Sequence, residues 1–240
     1  KPGGENSTWT KLGAANASWN GLAISTNGSV LVAASATGLT ISHDGGATST
    51  NAVVGGAGSF NAVAVTANGS KVLAARGTQL FGYNAGAWTA LGAPAKTWSS
   101  VASSADGTKV AAVADNGLIY TTTDSGTNWT ARGSVNRYWT SIASSADGSK
   151  LAATEVNGQI YTSDDSGATW TARESARAWS SISMSADGKL LLAGVLGGKL
   201  YYSDDSGVSW SAKDEVRVWG SVAIAGDGGF QMTLQELATI

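Results

Sequence analysis

Four cations recur in this sequence at a fixed distance from a tryptophan. Each lies two residues before the indole; the pairs are Lys96 and Trp98, Arg137 and Trp139, Arg177 and Trp179, and Arg217 and Trp219. A guanidinium presents fixed donors to carboxylate or hydroxyl oxygens, and an indole face stacks on sugar C–H groups or on a cation. The four pairs therefore predict a surface that binds hydroxyl-rich or anionic ligands.

One carboxylate accompanies these pairs as a candidate binding residue. Most of the 17 acidic residues occupy repeated turn and loop positions, which leaves Glu5, Asp115, Glu155, Glu174, Asp214, Glu215 and Glu236. Glu155 departs from the repeat, and a carboxylate oxygen accepts hydrogen bonds from sugar hydroxyl groups. We therefore expect Glu155 to act as an acceptor for the ligand.

The composition excludes several kinds of site. The 240 residues include no cysteine and a single histidine, His43, which excludes a disulfide scaffold, a thiolate or histidine metal cluster and a cysteine nucleophile. A net charge of -2 gives no basic surface for nucleic acid. No apolar run approaches the roughly 18 residues of a membrane-spanning helix. We therefore predict no catalytic residue, metal or cofactor, no nucleic-acid partner and no membrane span.

Repeated units of about 40 residues fill the chain. They start at Trp19, Phe60, Trp98, Trp139, Trp179 and Trp219, with spacings of 41, 38, 41, 40 and 40 residues. Six such units account for the whole length, so we predict one domain over residues 1–240 with no linker.

Each unit has the pattern of four short strands. In the unit that starts at Trp139, alternating residues run to Ser144, and further strands follow at 150–154, 159–163 and 170–173. The Asp-Gly and Asn-Gly turns between strands tolerate positive φ and favour tight hairpins. No segment has a convincing 3.6-residue period with helix caps. Four antiparallel strands per unit, in six units, predict an all-β fold, namely a six-bladed β-propeller of four-stranded antiparallel blades.

The two chain ends are expected to share the last blade. The unit that starts at Trp219 stops at Ile240 before its fourth strand, and residues 1–18 match the missing end. A blade built from both termini closes the ring and removes an exposed sheet edge.

The strand order also divides the residues between two faces of the ring. The turn face carries the turns between first and second strands and the loops between third and fourth strands. The connection face carries the turns between second and third strands and the connections between blades. The four cation–tryptophan pairs belong to the connection face.

A second motif recurs in the units. Thr122–Trp129, Ser163–Trp170 and Ser203–Trp210 share the pattern Ser/Thr-x-Asp-x-Gly-x-x-Trp, and a copy without the tryptophan occupies 42–49. The motif resembles the Asp-box of the BNR-repeat family, which includes sialidases and many bacterial and fungal propellers. The resemblance implies a hairpin loop whose aspartate binds backbone amides and whose tryptophan packs between blades. We therefore expect the four box aspartates to be structural; they are Asp44, Asp124, Asp165 and Asp205.

Three classes of function remain. Because repeated weak sites yield avidity, the near-identity of the middle blades favours a non-enzymatic, lectin-like protein that binds a carbohydrate or glycoconjugate on the connection face. The alternative is a protein-interaction or cell-surface structural module. A sialidase-like glycoside hydrolase is the least favoured class. The Arg-Ile-Pro type of motif that the resemblance implies for such an enzyme is missing, and the blades lack long loops that would wall a pocket.

The candidate binding residues also have a structural interpretation. Each arginine would then pair with an acid of the next blade, and each tryptophan would pack between blades. The sequence leaves this alternative open. The absence of cysteine, the polar turns and the low charge are compatible with a secreted or cell-surface protein, which we expect to be a monomer.

Overall fold

The computed structural model describes residues 18–52, 54, 58–84 and 86–224. In this part of the chain the structure is built of antiparallel strands without a helix. Three four-stranded sheets come first, each with its strands in chain order. Their strands are β1 (Trp19–Ile24), β2 (Leu31–Ser35), β3 (Leu39–Ser42), β4 (Thr50–Ala52), β5 (Phe60–Val65), β6 (Lys71–Arg76), β7 (Gln79–Asn84), β8 (Ala87–Ala90), β9 (Trp98–Ser103), β10 (Val110–Ala114), β11 (Gly117–Thr122) and β12 (Thr130–Arg137).

Units 4 and 5 share one six-stranded sheet. Its strands are β13 (Trp139–Ser144), β14 (Leu151–Ser163), β15 (Thr171–Met184), β16 (Leu191–Val195), β17 (Gly198–Ser203) and β18 (Ser211–Arg217). The first part of β14 pairs with β13 and its second part pairs with β15. Asn157 lies between the two parts and has a φ of 53°. The equivalent residue of unit 3, Asn116, has a φ of 46° in the turn between β10 and β11. The long strands β14 and β15 thus each cover two of the short strands that the sequence predicts.

Side-chain hydrogen bonds hold the first-to-second-strand turns. In unit 4, Asp147 Oδ1 accepts hydrogen bonds from Ser145 Oγ at 2.6 Å and from the Ser149 amide at 2.9 Å. Gly148 follows with a φ of 66°, which favours glycine because a side chain there is strained. These bonds explain why the Ser-x-Asp-Gly sequence recurs at this turn.

Backbone hydrogen bonds link these turns from one unit to the next. The Thr26 amide donates to the Ala67 carbonyl at 2.9 Å, and the Ala67 amide donates to the Ala105 carbonyl at 3.1 Å. The series continues from Ala105 to Ala146 at 2.7 Å and from Ala146 to Ala186 at 2.8 Å. Units 1 to 5 are therefore neighbours in chain order along the turn face.

Lysine side chains add a second link at this face. Each lysine is the first residue of the second strand of its unit or directly precedes that strand, and it reaches a serine in the Asp-box of the next unit. The Nζ–Oγ pairs are Lys71 and Ser125 at 3.2 Å, Lys109 and Ser166 at 3.3 Å, and Lys150 and Ser206 at 3.0 Å. These bonds bring together residues more than 50 positions apart in the sequence.

The hydrophobic core lies between units as well as within them. Val113 and Ile119 of unit 3 belong to the same buried cluster as Trp139, Ile142 and Ala153 of unit 4. Burial of such side chains provides the main favourable free energy of folding. A unit therefore depends on its neighbour for part of its core, as expected of a repeat architecture.

The sixth unit is described only as far as Ile224. Its Trp219 is buried, and the Val222 amide donates to Ser181 Oγ at 3.2 Å. The Ile142 amide makes the equivalent bond to Ser100 Oγ at the seam between units 3 and 4. The predicted closure of the last blade by the two chain ends lies outside the described residues.

Candidate binding face

The second-to-third-strand turns meet the connections between units at one face. In three units, the residue before the first-strand tryptophan accepts a backbone hydrogen bond from a residue in the turn. These tip pairs are Thr97 and Asp115 at 2.7 Å, Tyr138 and Val156 at 2.8 Å, and Ala178 and Leu196 at 2.9 Å. The connection face thus has a fixed backbone on which the side chains of the tip pairs are displayed.

The four tryptophans predicted to stack on a ligand are buried. Trp98, Trp139, Trp179 and Trp219 are 0% to 6% exposed. The Nε1 of Trp139 donates to the Gly117 carbonyl of the preceding unit at 3.0 Å, and the Nε1 of Trp219 donates to the Gly198 carbonyl at 3.1 Å. These four rings therefore pack at the seams between units, and in the described structure they present no face on which a sugar could stack.

Arg137 contacts two residues of the following unit. Its Nη1 donates to Glu155 Oε2 at 2.9 Å, and both side chains are half-buried. Its Cζ lies 4.5 Å from the centroid of the Tyr161 ring, whose hydroxyl is 3.5 Å from the same Glu155 oxygen. Burial of the ring raises the pKa of Tyr161, against the opposing effect of the Arg137 charge. The structure thus brings together two residues predicted to bind ligand, as an ion pair across a seam.

Arg177 has an acidic partner in its own strand. Its Nη2 donates to Glu174 Oε1 at 3.0 Å and to Ser175 Oγ at 3.1 Å. Its Cζ lies 4.4 Å from the centroid of the Tyr201 ring in the next unit. The cation–π contact is therefore the same as at Arg137, but the acid comes from the same unit.

The two other predicted cations are open to solvent. Lys96 and Arg217 are exposed, and neither side chain has an ion pair or hydrogen bond with a residue that the structure describes. The Lys96 ammonium group and the Arg217 guanidinium group are therefore accessible to a ligand on the connection face.

Exposed apolar side chains at the tips are binding candidates that the sequence analysis missed. Tyr138, Val156, Leu196 and Val218 are between 40% and 57% exposed. The corresponding pair in unit 3, Thr97 and Asp115, is polar. The apolar tips therefore occupy only part of the face, from the end of unit 3 to the end of unit 5. The sequence indicates these candidates in one way: the tip positions change from polar to apolar after Thr97 and Asp115, while the rest of the unit stays similar from one repeat to the next.

The Asp-box aspartates are held by their own loops on the turn face. Asp165 accepts hydrogen bonds from the Thr169 amide at 2.8 Å, from Thr169 Oγ1 at 2.6 Å and from Ser163 Oγ at 2.8 Å. These bonds lower the pKa of Asp165 to about 2, with the Thr169 hydroxyl as the largest cause. Asp44, Asp124 and Asp205 make equivalent bonds. The observed contacts agree with a structural role for the box aspartates.

The described part of the chain contains no group of three or more His, Asp or Glu side chains that could hold a metal ion. Nor does any helix in it have the length and apolar character needed to cross a membrane.

Comparisons with known proteins identify the fold. No protein-family model and no curated protein matches the chain. A GH74 enzyme of Niastella koreensis has a TM-score of 0.67 at 20% identity, with 85% of this chain and 32% of that chain covered. YCF48 bound to D1 peptide has a TM-score of 0.61 at 16% identity, with coverages of 81% and 68%. A nidogen/laminin complex has a TM-score of 0.70 at 14% identity, with coverages of 87% and 85%.

These neighbours are β-propeller proteins, and the chain accordingly has a β-propeller fold. The chain spans about a third of the length of the GH74 enzyme, 32%. At identities of 20% and below, the comparisons establish the fold alone.

Proposed function

We propose that the protein is a six-bladed, non-enzymatic binding propeller of the Asp-box type whose connection face binds a partner protein. The observation that carries the proposal is the row of exposed apolar side chains formed by Tyr138, Val156, Leu196 and Val218. Exposed apolar residues grouped on one face are typical of protein-binding surfaces, whereas apolar residues scattered singly are ordinary.

The surroundings of the apolar row support this function. Arg217 is exposed beside Val218, and Arg137 precedes Tyr138. Tyrosine and arginine are enriched at the centres of protein interfaces, and cations at the edge of an apolar patch favour a partner with acidic groups. The partner we expect is therefore a peptide segment that combines apolar and acidic side chains.

The fold has precedents for such a role. One neighbour is described as bound to D1 peptide and another as a complex of nidogen with laminin. These descriptions concern those proteins, and they support the proposal only because they associate this fold with peptide and protein ligands.

Carbohydrate binding is the second candidate, and one observation favours it. Tyr138 is the exposed aromatic residue next to the ion pair of Arg137 and Glu155. An open aromatic ring beside a donor and an acceptor is a suitable arrangement for a sugar. Tyr138 would take the stacking role that the sequence analysis gave to the buried tryptophans.

A paired binding screen tests both candidates. Purified protein is used to select peptides from a random displayed library, and the same preparation is applied to a glycan array. We expect selected peptides to be rich in apolar and acidic residues, and we expect Leu196→Ser to weaken their binding about tenfold, measured by fluorescence polarisation.

Val208→Ser is the matched control, because Val208 is as exposed as Leu196 but lies in an Asp-box loop on the turn face. Equal effects of the two substitutions would overturn the assignment to the connection face. Binding to a defined sugar family that Tyr138→Ala abolishes, with no peptide selected, would replace protein binding with the carbohydrate function.

A further inference from the structure

A cavity opens on the connection face of unit 2, away from the apolar row. Its volume is about 370 Å³. The start of β5, the turn between β6 and β7, and the connection to unit 3 form its walls. The volume falls within the range of small-molecule sites, roughly 300–1,000 Å³.

Arg76 gives this cavity its charge. It is the one ionisable side chain among the described residues that line the cavity. Arg76 ends β6, and the residue that ends the equivalent strand β10 in unit 3 is Ala114. The guanidinium packs closely over Gly58, where an added Cβ would lie 2.9 Å from Nη2. The arginine is thus a departure from the repeat that the local backbone accommodates.

A second cation, Lys96, directly follows a residue of the cavity wall. That residue is Ala95, and the Lys96 amide donates to the Thr78 carbonyl at 3.1 Å. The Lys96 side chain is exposed. The described lining residues thus include one cation, Arg76, and no carboxylate, and Lys96 is the neighbour of a lining residue, which favours an anion over a neutral or cationic ligand.

The remaining lining supplies neutral hydrogen-bonding groups. The lining residues Ser59, Asn61, Thr78 and Gln79 have hydroxyl or amide side chains. Such groups fix the orientation of a ligand that carries hydroxyl groups, and an arginine binds a carboxylate through two parallel hydrogen bonds.

We infer that this cavity binds a small hydroxylated carboxylate, with Arg76 as the carboxylate-binding residue, Lys96 as a second cation, and the neutral side chains as partners of the hydroxyl groups. This inference is independent of the proposed function, because the apolar row extends from the end of unit 3 to the end of unit 5 and the cavity is in unit 2. Loss of peptide binding would leave it standing.

Isothermal titration with matched sugars tests the inference. D-glucuronate and D-glucose share a ring but differ in the carboxylate, and inorganic phosphate is an oxyanion without a carbon-bound hydroxyl group. We expect glucuronate to bind at least about tenfold more tightly than glucose or phosphate. Equal affinities of glucuronate and phosphate would overturn the hydroxyl contacts, and equal affinities of glucuronate and glucose would overturn the carboxylate site. No binding of glucuronate would overturn the inference as a whole.

Substitutions locate the binding. Arg76→Gln is expected to weaken glucuronate binding about tenfold and Lys96→Gln about threefold, while Lys189→Gln on the turn face has no effect. Unchanged binding in Arg76→Gln would overturn the assignment. If Arg76→Gln fails to fold, Gln79→Leu replaces it, because Gln79 is exposed. This variant is expected to lose affinity for glucuronate but not for phosphate. Unchanged affinity for glucuronate would overturn the assignment of the site.

Discussion

The Arg137 guanidinium lies 4.5 Å above the ring of Tyr161 in the next unit and is fixed there by Glu155. Arg177 repeats the contact over Tyr201 at 4.4 Å. Each tyrosine ring also meets the edge of the buried tryptophan at its seam, Trp139 or Trp179. A cation over a tyrosine that abuts a tryptophan is therefore a recurring element of the seams on the connection face.

Replacement of Arg177 tests whether this contact stabilises the protein. Arg177→Ala removes the cation–π contact and the hydrogen bonds to Glu174 and Ser175, so we expect the free energy of unfolding to fall by about 1 kcal/mol without loss of the fold. Arg217→Ala is the control, because its side chain has no described partner. Denaturant unfolding measures both; an equal effect in the two variants would argue against a role for the stacked guanidinium.

Two tryptophans that occupy the same position of consecutive units, Trp139 and Trp179, differ in their hydrogen bonds. Trp139 Nε1 donates to Gly117, whereas the buried Trp179 Nε1 has no acceptor in the described structure. Trp139→Phe therefore loses a hydrogen bond that Trp179→Phe does not, and we expect it to be more destabilising by about 1 kcal/mol. Chemical unfolding of the two variants in parallel gives the difference. A larger loss in Trp179→Phe would contradict it.

Acid is expected to destabilise the Asp-box loops. Hydrogen bonds lower the pKa of Asp44, Asp124, Asp165 and Asp205 from 3.8 to about 2. Because the folded pKa is below the unfolded pKa, the stabilisation is complete above about pH 4 and is lost as the pH falls towards 2. Melting temperatures between pH 7 and pH 2 should be steady at first and then decline below about pH 4. Asp165→Asn should reduce this decline; an identical pH profile would refute the contribution of Asp165.

Gly92 tests how tightly adjacent units are packed. Its amide donates to the Gly126 carbonyl of the next unit at 2.9 Å, and a Cβ at Gly92 would collide with the Thr127 carbonyl oxygen. Since backbone must shift to relieve that collision, we expect Gly92→Ala to cost about 1–3 kcal/mol. Gly38→Ala is the control, because a Cβ there has open space. The prediction fails if both variants unfold at the same denaturant concentration.

The strands and turns were predictable because they depend on neighbours in the sequence. The strand from Trp139 to Ser144 was predicted with the bounds that the structure gives it. The β-propeller fold likewise followed from the repeat and is supported by the neighbours. Alternation of side chains and Asp-Gly turns are local signals, and they need no knowledge of the distant chain.

The candidate binding residues were less predictable because their exposure depends on how adjacent units pack against each other. Tyr138 and Trp139 are adjacent in the sequence, yet Tyr138 is half exposed and Trp139 is buried. The sequence pattern predicted ligand stacking on the tryptophan, whereas the exposed ring belongs to the tyrosine before it. The cavity beside Arg76 was also not foreseen.

The sequence by itself determined the repeat, the strand pattern and the hairpin turns, since each arises from residues a few positions apart. Only the tertiary structure decided which side chains are covered and which are open to a ligand. Trp139 is buried through contacts with Gly117 and Tyr161, which are about 20 residues away in opposite directions along the chain. The hydrogen bond to Gly117 forms only when unit 4 packs against unit 3, and such packing between units sets the exposure of residues at the connection face.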